Sequence, residues 1–336
     1  MDPLTQGALG AALPQAAGAK SKTIVIAGVL GFLSGMAADL DVLIRSPADP
    51  LLFLEYHRQF THSLVFIPVG GLILALVLHW ALGRRWQLGF WQTALFCTLG
   101  FATHALLDCA TSYGTMLFWP FSEERIAWRI VSVVDPLFTL PLFGLVLAAA
   151  LKRKPALARM GLAWALAYLA LGAFQHQNAL QMGRNIAAER GHSPMRLEVK
   201  PSFGNILVWK TLYEADGRYY VDAVRAGVAP RTFPGSSLPK LNLAADLPWL
   251  TPGSQQARDI ERFRTFSMDF IAQDPAWPGR IIDVRYSMIP NQMAALWSIE
   301  VRRNVSQTDH VEFHTHRRDS RQALGKLLSM MFAARP

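Results

Sequence analysis

Thiolate chemistry is almost closed to this chain, which has two cysteines, Cys97 and Cys109, in 336 residues. Two are too few for a disulfide framework or a cysteine zinc site, and they fall at opposite ends of one apolar run. No His-Glu-x-x-His is present, which removes the intramembrane metalloprotease, and no Gly-x-Ser-x-Gly, which removes the serine-hydrolase elbow. A Walker loop is also absent, so ATP-driven transport has no support. The His-x-x-x-Asp of the chain has no accompanying Pro-Ser-Gly-His, so that one lipid-phosphatase signature is incomplete. The net charge is +9, yet the basic residues form no patch interleaved with aromatics, which argues against nucleic acid as a partner.

Long apolar runs are what the chain has. Hydrophobic residues make up 51% and charged residues 17%, and that share gathered into runs predicts an integral membrane protein with a soluble portion. Five runs, 24–44, 64–82, 90–108, 133–151 and 159–177, approach the ~20 residues that a crossing helix needs. A sixth segment, PLTQGALGAALPQAAGA at 3–19, is uncharged but carries Pro14, and reads as a short or re-entrant embedded helix. No basic stretch precedes it, so it does not read as a cleavable signal.

Charge then sets the orientation. Lys20 and Lys22, Arg84 and Arg85, and Lys152, Arg153, Lys154 and Arg159 mark alternate run ends, which hold no acid. Asp39, Asp41, Asp49, Glu55, Asp108, Glu123, Glu124 and Asp135 all fall at the other ends. The positive-inside rule places the basic loops in the cytoplasm and the acidic ends outside it. Membrane lipid is the expected partner of the remaining positive charge.

After Gln177 no run is long enough to cross a membrane. LEVKPSF, NILVWKTLYEADGRYYVDAVRAG, RIIDVRYSMI and AALWSIEVRR read as strands with hairpin turns, and GSQQARDIERFRTFSMDFIAQ and DSRQALGKLLSMMFAAR as helices. The expected architecture is an α-helical membrane bundle of five or six spans, residues 1–177, followed by a small non-cytoplasmic α+β domain, residues 178–336.

Ionisable groups beside membrane spans are costly and need a reason. His104 and Asp108 share one helix face, four residues apart, at the acidic end of the 90–108 run. Asp39 and Asp41 close the first run on that side, His57 and His62 open the second, and Asp135 opens the fourth. Each alone reads as a cap, a loop residue or a structural hydrogen bond. Their common side does not follow from those readings, because the orientation rests on other charges. Imidazole with carboxylate suits zinc first, then manganese or iron. The count leaves room for two metals, or for one with supporting carboxylates.

In order, MDPLTQGALG, ADLDVL, HRQFTHS and THALLDCATSYGT resemble the YdjM-like family of inner-membrane metal-dependent hydrolases, over about residues 1–140. The His104/Asp108 spacing also looks like the metal helix of zinc-dependent phospholipase C and the P1-type nucleases. The resemblance implies metal-dependent hydrolysis of a phosphoester, and a site at the outer ends of the spans suits a phosphorylated lipid whose head group lies at that depth. The resemblance makes Asp39, Asp41, His57, His62, His104 and Asp108 the metal ligands. Arg58 and Thr61 become candidate phosphate contacts; apart from the resemblance, a free carboxylate, Asp41 or Asp135, is expected to serve as base or to orient the water. Where the family reads Thr-His, this chain has Thr5 and Gln6, a weaker ligand.

The competing class is a non-catalytic membrane protein with a structural metal and a partner-binding C-terminal domain. HVEFHTH puts His310, Glu312, His314 and His316 on one strand face, read here as solvated rather than as a metal site. His176 closes the last run within reach of the acidic face, His79 is expected at an interface beside Trp80, and Tyr113 and Gly114 are expected at the pocket rim.

Overall fold

The computed structural model describes residues 1–17, 20–227, 229–316 and 320–332. The chain forms two compact units: Met1–Leu43, Tyr56–Phe174 and Phe203–Asn205 in the first, and Ile44–Glu55, Gln175–Ser202 and the chain from Ile206 onward in the second.

In chain order the helices are α1 (Pro3–Ala17), α2 (Ile24–Ala37), α3 (Leu52–Tyr56), α4 (Phe66–Leu78), α5 (Phe90–Ala110), α6 (Pro136–Lys152) and α7 (Pro155–Glu189). A tight 3-10 turn, Ala38–Leu43, continues α2, another spans Phe60–His62, and a π turn, His79–Gly83, continues α4. Among the described residues, four stretches are long and apolar enough to cross a membrane: Ile24–Leu43, Phe66–Gly83, Phe90–Ala110 and Pro155–Glu189. The expected run at 133–151 is the shorter α6, of 17 residues. The uncharged N-terminal segment is the 15-residue α1, with Gly18 and Ala19 outside the described residues. Hydropathy picked out 159–177, yet α7 continues to Glu189, because polar residues extend a helix without registering as a span.

Small residues hold the first unit together. Gly10 of α1 faces Gly31 and Gly35 of α2, and Gly100 of α5 lies against the Gly31 backbone, so a methyl group at any of them would strike main chain. Close backbone approach through glycine is how membrane helices gain packing where lipid offers no hydrophobic drive. The seam fixes the Gly35 carbonyl against α5. Outside it, Leu72, Ile73, Leu76 and Val77 of α4 stay exposed, as an outward membrane face should.

The α6 helix opens with Asp135 as its cap, accepting from the Phe138 amide at 3.3 Å, with Pro136 next.

The second unit contains β1 (Arg196–Pro201), β2 (Val208–Ala215), β3 (Arg218–Arg225), β4 (Arg231–Pro239), α8 (Leu243–Asp246), α9 (Gln255–Phe266), β5 (Ile271–Gln273), β6 (Arg280–Asp283), β7 (Trp297–Glu300), β8 (Glu312–Thr315) and α10 (Ser320–Phe332). Two antiparallel sheets form in sequence order, β1 to β4 and β5 to β8. Leu212, Tyr219 and Val221 from one sheet pack with Ala272 and Ile282 of the other and with Phe270, which immediately precedes β5. Asp216 and Gly217, at φ 51° and 68°, form the β2–β3 turn, where a two-residue hairpin needs left-handed backbone. Each expected strand segment contains a strand and both expected helices form, but Ile271–Gln273, the end of the helix expected over 253–273, is strand β5, because left-handed backbone at Met268 and Asp269 follows the end of α9 at Phe266. Asp319 and residues 333–335 of the expected last helix lie outside the described residues.

Candidate metal centre

Three short segments build the centre. The Ala38–Leu43 turn brings Asp39 and Asp41, the 57–62 stretch brings His57, Arg58 and His62, and α5 brings His104 and Asp108. Asp39, His62, His104 and Asp108 each present one ligand atom, all within 4.8 Å of one another. Asp39 Oδ1 lies 3.5 Å from His62 Nε2 and 3.3 Å from His104 Nε2. Asp108 Oδ2 lies 3.4 Å from His62 Nε2 and 3.7 Å from His104 Nε2. A tetrahedral ion bound at ~2.0–2.1 Å keeps its ligand atoms about 3.3–3.4 Å apart. These four separations are close to the edges of such a tetrahedron.

Hydrogen bonding fixes which atoms face inward. His104 Nδ1 is 2.6 Å from the Gly35 carbonyl, which can only accept, so the proton is on Nδ1 and the Nε2 lone pair faces the cluster. His62 Nδ1 lies 3.2 Å from Asp41 Oδ2 and 2.9 Å from Thr61 Oγ1. Asp108 Oδ1 is occupied by the Met1 amino group and by Gln6 Nε2, the latter at 2.8 Å. What remains is His62 Nε2, His104 Nε2 and Asp108 Oδ2, each buried and without an aligned hydrogen bond, although Asp108 Oδ2 also forms an ion pair with Arg58 Nε at 3.1 Å. Buried polar atoms without aligned hydrogen bonds are expensive, and three converging on one point fit a cation.

Asp41 has a different task. Its Oδ1 accepts from His57 Nδ1 at 2.8 Å, and its Oδ2 accepts from Thr61 Oγ1 at 2.7 Å and the Arg58 amide at 3.1 Å. Asp39, Asp41 and His57 also form a second set of mutually close ligand atoms. With its oxygens so engaged, Asp41 orients both histidines, the usual office of a carboxylate behind a metal-binding imidazole. Burial is uneven. The His62 and Asp108 side chains are fully enclosed, whereas Asp39 keeps 22% exposure and His57 30%, so the centre opens on their side.

Arg58 is enclosed too. Its Nε is 3.1 Å from Asp108 Oδ2, its Nη1 donates to Thr111 Oγ1 at 3.0 Å, and its guanidinium lies 5.1 Å from the Tyr113 ring centre. Its backbone sits at φ 66°, a costly conformation for a long side chain. The Asp41 bond to its amide and the Met116 amide on its carbonyl hold it there.

Asp135 stands apart from both carboxylate–histidine sets. Besides capping α6, it accepts from the Tyr168 hydroxyl, 3.0 Å from either oxygen, and burial raises its pKa above the usual carboxylate range. Gln6 touches Asp108, but its own Oε1 is buried and unpartnered.

The remaining histidines are engaged elsewhere. His310 pairs with Asp259 at 2.8 Å, His314 lies 3.3 Å from Glu300, and His316 meets Ser298 Oγ at 2.9 Å. His176 packs against Trp209, and His79 bonds Thr93 at 3.0 Å. Sequence reading missed Thr111 and the Gly35 carbonyl. Thr111 had a usable signal, one turn beyond Asp108, but a backbone carbonyl has none.

Comparison with known proteins adds to the geometry. The family model described as YdjM inner membrane protein matches residues 1–179. The chain is 35% identical over 108 residues to the inner membrane protein YbcI of Escherichia coli, which covers 31% of this chain and 60% of YbcI. It is 25% identical over 118 residues to the uncharacterized protein YfhP of Bacillus subtilis, which covers 35% of this chain and 34% of YfhP. The chain thus spans less than two thirds of each of these relatives. No solved structure matches.

Proposed function

We propose, from the premise that this chain belongs to the YdjM inner membrane protein family, that Asp39, His62, His104 and Asp108 hold a divalent metal in a phosphoesterase centre. The substrate in this reading is a lipid or lipid-linked phosphate, and the centre lies at the outer ends of the spans. The observation that carries it is the convergence of three buried ligand atoms, none with an aligned hydrogen bond, at near-tetrahedral spacing. Two imidazoles and two carboxylates suit zinc, with manganese or iron as the alternatives.

When bound, such a metal supplies a Lewis acid that polarises the phosphoryl oxygen and acidifies water. The protein's own groups do the rest. Arg58, fixed by Thr111, holds a phosphoryl oxygen through a charged hydrogen bond. His57, its Nδ1 proton held by Asp41, takes the proton of the attacking water at Nε2. Water adds to phosphorus, the P–O bond to the alcohol breaks, and His57 returns the proton to the leaving oxygen. Asp41 therefore acts through His57, and Asp135 stays structural.

Elemental analysis and turnover of phospholipids and lipid-linked phosphates by the purified protein test this together. About one metal per chain and release of phosphate or a phosphorylated head group are expected. His104→Ala should lose both while the protein still inserts. A His104→Ala protein with full metal content overturns the centre, and a metal-loaded protein inert on every phosphoester overturns the reaction.

A further inference from the structure

A groove of about 360 Å³ runs between α2 and α6 over a floor contributed by α1. It extends from Val25 to Leu33 on α2 and from Phe143 to Leu151 on α6, with Ala11 and Gln15 beneath. Eight helical residues separate its ends, about 12 Å at ~1.5 Å per residue, close to the ~15 Å that one leaflet of hydrocarbon offers a chain. Its walls are apolar, and Val29, Leu33, Leu147 and Leu151 remain 39%, 40%, 46% and 75% exposed. At this depth the surroundings are lipid.

Two observations mark one end. The Val25 and Leu151 end is also the basic end, where Lys20, Lys22, Lys152, Arg153, Lys154 and Arg159 are exposed and no acid follows in either loop. Gln15 lines the groove, is 1% exposed, and its Oε1 has no hydrogen-bond partner. Gly28 makes room for it, because a methyl group there would strike the Gln15 amide. A buried acceptor beside a cluster of cations fits a ligand that has an anionic head and a donor near it.

We propose that this groove binds one acyl chain of an anionic phospholipid from the leaflet at the basic end. Its phosphate rests on the Lys and Arg residues around 152–159 and 20–22, and a hydroxyl of a glycerol head group donates to Gln15. Basic residues between helices at the cytoplasmic surface recognise anionic head groups in this way. The site is independent of the metal centre, which lies at the opposite end of α2.

The test uses full-length protein in nanodiscs containing phosphatidylglycerol or phosphatidylcholine, each with a photoactivatable acyl chain. Phosphatidylglycerol should label peptides covering 25–33 and 143–151 at least fivefold more than phosphatidylcholine, since one basic residue near the surface contributes roughly fivefold. Lys20→Gln, Lys22→Gln, Lys152→Gln, Arg153→Gln and Lys154→Gln combined should erase most of that preference, and Val29→Trp should remove the label while metal content stays unchanged. Equal labelling by the two lipids overturns the proposal. So does labelling that survives Val29→Trp, or that is no denser than on the outer face of α4. The side chains of Lys20, Lys22, Lys152, Arg153 and Lys154 are exposed, so the head-group arm stands even where Val29→Trp fails to fold.

Discussion

His62 shows how much a single residue decides here. Burial opposes its protonation, but the facing carboxylates of Asp108, Asp39 and Asp41 outweigh burial and raise its pKa from 6.5 to about 10 in the metal-free protein. The folded value exceeds the unfolded one. The stabilisation it brings to the metal-free protein is therefore fully present below about 6.5 and lost as pH rises through about 10. A metal must displace the Nε2 proton, so affinity should strengthen with pH across the neutral range. Calorimetry in buffers of different ionisation heat should show about one proton released per metal bound from this histidine. A pH-independent affinity would remove His62 from the ligand set. Gln6 offers the complementary test, because it donates to Asp108 and leaves its own Oε1 unpartnered. Gln6→His replaces a weak oxygen donor with imidazole and should raise metal affinity, with metal titration of the two proteins deciding. Residue identities at the centre were legible because the spacing of His104 and Asp108 and the run-closing Asp39 and Asp41 are patterns along the chain. Roles were less so. The use of Asp41 as an orienting group, and the left-handed backbone of Arg58, depend on how a turn folds against distant residues.

At the scale of elements, the glycine seam between α1, α2 and α5 sets the position of the Gly35 carbonyl and with it the orientation of His104. Gly31→Ala puts a methyl group against the Gly10 carbonyl, a rigid main-chain atom. Forcing such packed surfaces apart costs about 1–3 kcal/mol. Thermal unfolding of the variant should shift downward, with metal occupancy falling in parallel. Gly144→Ala, where an added Cβ meets nothing within 4 Å, should leave both unchanged. Helix boundaries were read well where an apolar run and a helix coincide, as in α5 (Phe90–Ala110 against 90–108). They were read poorly in α7, whose second half is helical for reasons that hydropathy does not carry.

For the whole molecule, the charge pattern predicts that the loops at 84–85 and 152–159 face the cytoplasm and that the chain after α7 lies outside. Cysteine substituted at Lys240, a half-buried position, should react with an impermeant reagent in cells whose outer membrane alone has been opened. Protection until the inner membrane is opened reverses the orientation and moves the proposed centre to the cytoplasmic side. The same scale shows what linear reading does not. Residues 44–55 come between Asp41 and His57 in the chain yet belong to the second unit, where Arg262 binds Asp49 at 2.8 Å and Glu55 at 2.5 Å, and Phe53 packs on Phe313. Arg262 stands 207 residues beyond Glu55. A ribosome adding ~5–20 residues per second needs roughly 10–40 s to cover that interval. During biosynthesis the stretch joining Asp41 to His57 therefore waits, unanchored, until nearly the whole polypeptide has been made. Residues 44–55 are among the first parts encoded, and their partners Arg262 and Phe313 are among the last.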